Sequence, residues 1–309
     1  MSMVERTPFL NILTHLILGA GLVLLLLPLW IVFVASTHDF RTVNTVPMPL
    51  WPGSHMVENY VFTWQQSQFG PKMLNSLIMA IGVTLGKIII ASLSAYSIVY
   101  FRYRLRMVLF WLIFITLMLP LEVRIVPTYA VAANALRPFQ EIINVTRISD
   151  LADLLFGIRI VLPEWQLLNS YTGLILPLIA TATGTFLYRQ FFLTVPEELL
   201  EAAKMDGSGP LRFFWDILLP LSKANMAALG TIMFVYSWNQ YLWPLLVVTD
   251  PSYGTAVMQL QRIVPGPLFG EPPRWHIAMA GTLMVMLPPL LVVVFMQRWF
   301  VRGLISQDK

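Results

Sequence analysis

The chain contains no cysteine. That absence excludes a disulfide-stapled secreted fold, a thiolate metal site, a cysteine nucleophile and any cysteine-linked lipid anchor. Charge is scarce too. Asp, Glu, Lys and Arg make up 12% of the 309 residues, about half the roughly 25% of a soluble domain. The four histidines, His15, His38, His55 and His276, are too scattered for a zinc site. What fills the chain instead is apolar: 57% of residues are hydrophobic, with a mean hydropathy of +0.70. So apolar a chain could not stay dissolved and unfolded, which excludes disorder. The net charge of +4 comes from 20 Lys and Arg spread along the chain with no basic block, a pattern that does not point to nucleic acid. The class is an all-α, polytopic membrane protein.

A bilayer core takes about 20 apolar residues per helix. Six segments qualify as transmembrane helices, near Leu16–Ser36, Leu74–Val99, Val108–Ala130, Thr172–Phe192, Ala224–Val248 and Ile277–Phe300. The first is too long for a signal-peptide core, and Glu5 offsets Arg6, so it reads as a retained anchor. With the N-terminus inside, 11 Lys and Arg fall in the cytoplasmic parts and 8 in the longer external ones. Basic density is then about twofold higher inside, as the positive-inside rule requires. The expected layout is a cytoplasmic N-terminus over 1–15, a membrane domain of six spans over 16–301 and a cytoplasmic tail over 302–309. External loops fall near 37–72, 131–171 and 249–276. The first is rich in Pro and Trp and is expected to pack near the interface. The second holds an apolar stretch, Leu154–Leu162, too short to span and better suited to an interfacial or docked helix. No internal repeat or low-complexity tract occurs.

The loop between the fourth and fifth spans, over 194–220, stands out. Pro196 suits the start of a helix, Glu197 and Glu198 complement its positive end, and Gly207 is placed to end it in a left-handed residue. Pro210 opens a second short helix. Leu199, Leu200, Ala203, Phe213, Phe214 and Ile217 give the loop more apolar surface than water exposure explains. It is either packed on its own membrane domain or a docking element for a cytoplasmic partner. For the second role, Ala202 and Ala203 would admit a partner's backbone, and Glu201 and Asp206 would pair with its basic residues.

Glu201-Ala202-Ala203, then Asp206-Gly207, nine residues, and Ile217-Leu218-Leu219-Pro220 resemble the EAA loop of ABC importer permeases without a mismatch. In that family the loop is the coupling helix, seated on an ATP-hydrolysing subunit. The resemblance therefore implies an ATPase-coupling role for Glu201, Ala202, Ala203, Asp206, Gly207, Ile217, Leu219 and Pro220. Trp238 to Leu245 and Met296 to Leu304 resemble the carbohydrate-uptake branch. Leu85-Gly86-Lys87, Phe114 to Pro120 with Glu122-Val123-Arg124, and Phe186 to Phe192 are similar to the second permease subunit of sn-glycerol-3-phosphate importers. The likeness covers nearly the whole chain. It departs near 136–168, where this sequence carries an external segment not expected of that subunit. The resemblance implies a six-helix ABC importer permease fold in the bacterial inner membrane. It implies as partners a second, different permease, an ATPase dimer, an external solute-binding protein, membrane lipid and a small solute. No cofactor is expected in this chain, because ATP and Mg would be held by the ATPase.

Polar groups inside spans are expensive and are functional candidates. Lys87 has no carboxylate three or four residues away on its helix. Glu122 and Arg124 follow Pro120, which frees a backbone carbonyl and bends its helix. Lys87 and Arg124 would suit the path of a phosphate-bearing solute; a Lys87–Glu122 ion pair fixing helix packing is the structural alternative. Asn239 and Gln240 need hydrogen-bond partners at membrane depth, from other helices, cavity water or solute. Tyr236, Trp238, Tyr241 and Trp243 fit core or interface anchors better than a sugar platform. Gly82 to Lys87 is one residue short of a phosphate loop and lacks its Ser/Thr; Gly82 and Gly86 fit close helix packing instead. No catalytic constellation is present. A secondary transporter would show inverted repeats and midplane carboxylates, and a membrane enzyme a reactive cluster; neither is seen.

Overall fold

The computed structural model describes residues 8–66, 68–116, 119, 121–180, 182–264 and 274–305. All regular structure among them is helical. In chain order the helices longer than four residues are α1 Pro8–Ser36, α2 Met56–Gln66, α3 Phe69–Tyr100, α4 Arg106–Ile115 and α5 Leu121–Ala133. They continue with α6 Arg137–Val145, α7 Ile148–Phe156, α8 Tyr171–Ile179, α9 Ala182–Phe192, α10 Glu197–Met205 and α11 Pro210–Leu221. The last four are α12 Lys223–Trp238, α13 Leu242–Val247, α14 Ala256–Ile263 and α15 Trp275–Ile305.

Helices α1, α3 and α15 are long and apolar enough to cross a bilayer as single rods. At 29, 32 and 31 residues they exceed the roughly 30 Å of hydrocarbon at 1.5 Å per residue. They match the first, second and sixth expected spans. The count rises to five if two bent pairs, α8 with α9 and α11 with α12, each form one span. The expected spans over 108–130, 172–192 and 224–248 are broken rather than continuous, and a proline lies near two of the breaks. Pro177 in α8 cannot donate to the carbonyl of Gly173. The indole N–H of Trp243 donates to that buried carbonyl instead, at 3.1 Å; α8 runs on to Ile179, and the next residue, Ala180, is extended. Pro244 likewise cannot bond to the carbonyl of Gln240, so α12 ends at Trp238 and α13 begins afresh at Leu242. In the third expected span, Pro120 lies outside the described residues.

The chain divides into two compact units, residues 1–70 with 259–287 and residues 71–258 with 288–309. In the first, α1 is exposed along its length until Val34 and Ala35. The segment after it is tied back to the end of α1. Trp30 donates to the carbonyl of Leu50 at 3.0 Å, and the Asn59 amide donates to the carbonyls of Ser36 at 2.9 Å and His38 at 2.8 Å.

In the second unit α3 is the spine. A Cβ on Gly82 would lie 2.6 Å from Ile175, and one on Gly86 would lie 2.5 Å from Ile179. The two glycines therefore let α8 seat against α3, the packing role their spacing predicts. One end of this unit is tied by polar groups. Asn75 donates to the carbonyls of Ser252 and Gly254 and accepts from the Tyr171 hydroxyl at 2.7 Å. Lys72 donates to the carbonyl of Pro251.

Candidate functional site

The loop between α9 and α12 forms as its residues dictate. Glu197 and Glu198 occupy the first turn of α10 and Lys204 its last. Gly207 takes φ +72°. Its N–H bonds to the carbonyl of Lys204 at 3.0 Å, and that of Ser208 to Ala203 at 2.9 Å, closing the helix in a Schellman motif. Pro210 then starts α11. Pro220 has no N–H for the carbonyl of Asp216, and the preceding turn, Phe214–Leu218, opens into a π-helix. At Ser222, buried and donating to the carbonyl of Leu219, the chain bends by 74° into α12.

The loop has two faces. Ala203, Phe213, Phe214 and Leu218 are buried, with Leu200, Ile217 and Leu219 packed against the same cluster. Thus most of the apolar residues singled out in the sequence hold the loop to its own unit, and Ala203 is not available to a partner. Glu201, Ala202, Asp206, Gly207 and Pro220 are exposed, beside exposed Met205, Leu211 and Trp215. These last three were not singled out, although their alternation with the buried positions could have revealed them.

The buried face meets the end of α3. The Tyr96 hydroxyl donates to the carbonyl of Pro210 at 2.8 Å, its ring lies 5.0 Å from that of Phe214, and the Tyr100 ring lies 5.4 Å from that of Phe213. Tyr96 and Tyr100 were likewise missed. Their i,i+4 spacing at the end of a long apolar helix was the available signal.

A cavity of about 320 Å³ lies between α3, α5, α8, α9 and α12 of the same unit. It brings together Lys87 and Arg124 with Thr116, Thr128, Thr183, Tyr236 and Trp243. No carboxylate is among its lining residues, the side chain of Glu122 being outside the described ones. The expected alternative, a Lys87–Glu122 pair, falls outside the description for the same reason. Lys87 is 5% exposed, and its Nζ sits 4.5 Å from the centre of the Tyr236 ring, a cation–π contact that steadies a cation without neutralising it. Arg124 is exposed. Asn239 and Gln240 sit at the break between α12 and α13 and do not line the cavity. Asn239 is exposed, and buried Gln240 donates to the carbonyl of Tyr236 at 3.4 Å. Lys87 and Arg124 thus line one cavity, whereas the two amides lie where the helix breaks; Tyr236, one turn earlier, is an α12 residue that reaches it. A larger cavity of about 490 Å³ in the first unit, lined by Phe40, Glu58, Asn59 and Phe62 among others, includes a carboxylate and none of the expected residues.

Residues 87–306 match the family model described as the binding-protein-dependent transport system inner membrane component. The chain is 47% identical to the sn-glycerol-3-phosphate transport system permease protein UgpE of Yersinia pestis bv. Antiqua (strain Antiqua), covering 99% of this chain and 100% of that protein. It is 45% identical to the Escherichia coli (strain K12) protein of the same name, with the same coverage. Its fold resembles a chain in the crystal structure of a bacterial ABC transporter involved in the import of the acidic polysaccharide alginate. The TM-score there is 0.73, at 18% identity, over 97% of this chain and 100% of that one. The spanning helices, the EAA-type loop and these likenesses agree: the chain belongs to the binding-protein-dependent transport system inner membrane component family and is a multi-pass permease subunit of an ABC importer, a translocation component rather than an enzyme.

Proposed function

We propose that this permease forms one half of the path by which sn-glycerol-3-phosphate, or a glycerophosphodiester, crosses the inner membrane. The observation that carries this reading is the cavity. Lys87 and Arg124 converge there with three threonine hydroxyls and Tyr236, and no acid is among the described lining residues. An anion leaving water needs cations or donors along its way, because an uncompensated charge at membrane depth costs several kcal/mol. The relatives named for sn-glycerol-3-phosphate transport support the same solute.

Six spans complete the path if α4 with α5 and α12 with α13 are each one broken span beside α1, α3, α8 with α9, and α15. Both termini lie in the cytoplasm, where the basic residues are densest. The other half of the path is a second, different permease. A solute-binding protein delivers from outside, and two ATPase subunits, which hold ATP and Mg, dock below.

The exposed face of α10 and α11 takes one ATPase subunit. Glu201 and Asp206 offer charge to it, and Ala202 beside the left-handed Gly207 leaves room for its backbone. ATP-driven closure of that subunit pair moves the loop. The loop cannot move alone, because Phe213 and Phe214 are packed against Tyr96 and Tyr100 of α3. Lys87 lies nine residues from Tyr96 on the same helix, about 14 Å at 1.5 Å per residue, so displacement of the loop reaches the cavity through one rigid rod. Pro220 and the bend at Ser222 pass the same displacement into α12, which bears Tyr236.

The test is ATP hydrolysis by the reconstituted complex with its binding protein, titrated with glycerol-3-phosphate and with maltose. Stimulation by glycerol-3-phosphate alone, lost in Lys87→Met and Arg124→Met, is the expected result. Stimulation by the neutral sugar instead would return both cations to structural roles and leave a sugar or polyol as the solute.

A further inference from the structure

Between α5 and α8 the chain makes a helical hairpin, α6 and α7, for which the permease role has no use. Each helix has one apolar face. On α6 it comprises Phe139, Ile142 and Val145, opposite Arg137, Gln140 and Asn144; on α7 it comprises Ile148, Leu151 and Leu155, opposite Asp150 and Asp153. In an ordinary hairpin these faces would bury each other or pack on the domain. Here neither helix has a single buried residue, and Ile142 and Leu155 are 57% and 62% exposed.

The hairpin is nonetheless well formed. Gln140 bridges its two arms, donating to the carbonyl of Ile160 and accepting from the N–H of Leu162 at 2.7 Å. Gly157, at φ +68°, ends α7. Its base is short and fixed: the N–H of Ala135 bonds to the carbonyl of Trp165 at 2.9 Å, and that of Leu167 to Ala132 at 2.9 Å. Three residues separate α5 from α6, a reach of roughly 10 Å. The hairpin is therefore held at the end of a membrane-embedded helix and cannot extend far from it.

We infer that this hairpin is a membrane-interface anchor, lying in the headgroup region with its apolar faces toward the acyl chains. Three observations select lipid as the occupant. The exposed apolar surface continues directly from α5, where Val123, Val126 and Val131 are also exposed. Between Ala135 and Trp165 lie three arginines and four acids; Arg137 with Glu141 and Arg159 with Asp153 neutralise each other at 2.9 and 3.4 Å, and the remaining Arg147, Asp150 and Glu164 are of mixed sign, a poor patch for selecting a charged protein partner. Trp165, exposed at the base, is a residue type enriched at membrane interfaces. A helix of this kind binds by apolar burial rather than by attraction to anionic lipid. The inference rests on membership of the membrane family and on no assignment of solute or of sidedness.

This chain has no native cysteine, so with cysteine-free versions of the partner subunits an introduced one is the sole labelled site. Ile142→Cys, Leu155→Cys, Asn144→Cys and Asp150→Cys would each be spin-labelled singly in the assembled complex, in vesicles of phosphatidylcholine. Accessibility to oxygen, which partitions into lipid, is compared with accessibility to a water-soluble nickel chelate. Oxygen should dominate at positions 142 and 155 and the chelate at 144 and 150, with the pattern unchanged when a third of the lipid is anionic. Chelate access at 155 equal to that at 150 would mean a hairpin standing in water, and protection from both reagents at 142 and 155 would mean a protein partner. Either result overturns the anchor.

Discussion

Two amphipathic helical hairpins interrupt the spanning helices of this permease, and they are built alike. In α10–α11 the turn passes through Gly207 at φ +72°, and in α6–α7 through Arg147 at φ +54°. Both have one face of large apolar side chains and one of charge. Their fates differ. The first buries Ala203, Phe213, Phe214 and Leu218 in a cluster shared with α3 and α9; the second buries nothing. An amphipathic pattern declares that a face must leave water. What it leaves water for is set by the neighbouring elements: Tyr96 and Tyr100 wait for the first hairpin, while the second has no such receptor among the described residues. A packed hairpin moves with its unit and can transmit force, whereas an unpacked one can only hold on to its surroundings.

The sharpest way to break the comparison is at the turns. Proline pins φ near −65°, whereas Gly207 sits at +72°. Gly207→Pro should therefore dissolve the Schellman closure and displace Glu201 to Asp206. About 3 kcal/mol of misfit corresponds to a loss of roughly two orders of magnitude in transport-coupled ATP hydrolysis, with the complex still present in the membrane; uptake within a fewfold of wild type would detach the loop from coupling. Glu201→Lys should abolish uptake in the same assay by reversing the charge offered to the ATPase. Next comes Phe213→Ala. Removing a buried ring costs about 3–5 kcal/mol, read as a lower thermal midpoint of the purified complex. The matched change in the other hairpin, Leu155→Ala, should lower that midpoint by the equivalent of no more than about 0.5 kcal/mol, because Leu155 is 62% exposed and shares no buried protein core. Equal effects would erase the distinction.

How much of this was legible beforehand follows from the kind of signal each feature leaves. The three long spans were, because a run of apolar residues needs no context. The turn at Gly207 was, because only a glycine sits comfortably there and the residues around it agree. Lys87 and Arg124 stood out by cost, since cations in apolar sequence must be accommodated somewhere, but their meeting in one cavity was not legible. The helix breaks were visible as prolines but not as breaks: Pro177 is carried inside α8, and the donor it denies Gly173 comes from Trp243, seventy residues on from that glycine. Asn239 and Gln240 illustrate the opposite error. Polar residues in an apolar run suggest a lined path, yet here they occupy the gap where the helix ends. The alternation of the loop's apolar residues shows that it has two faces, but which face turns inward depends on Tyr96 and Tyr100, more than a hundred residues away.

Smaller perturbations sharpen the contrast in how each hairpin is moored. Tyr96→Phe deletes one hydrogen bond, to the carbonyl of Pro210, and keeps the ring. About 1 kcal/mol should appear as a severalfold rise in the ratio of ATP hydrolysed to solute transported, since the loop then slips against α3. An unchanged ratio would place the transmission elsewhere.

The smallest effect concerns pH. The α10–α11 loop is held largely by carbon, but the far end of the segment bearing the other hairpin is held by polar groups. Asn169 accepts from the N–H groups of Thr249 at 2.7 Å and Asp250 at 2.8 Å, and Asp250 in turn accepts from the N–H of Ser252 at 2.9 Å. That backbone hydrogen bond, followed by the Ser252 side chain and the attraction of Lys72, holds the Asp250 carboxyl below its ordinary value, against a small opposing effect of burial. A carboxyl depressed in the folded state stabilises that state above its unfolded pKa, near ~4, and loses the contribution as pH falls through the lower folded value. Nothing should therefore change between pH 7 and 5. Below about pH 4, amide exchange at Ser252 should accelerate beyond its intrinsic pH dependence, while amides of the carbon-moored α11 should not. In Asp250→Asn that acceleration should vanish. If Ser252 and α11 loosened together instead, the two moorings would be one cooperative unit and the contrast between them would lie in their partners alone.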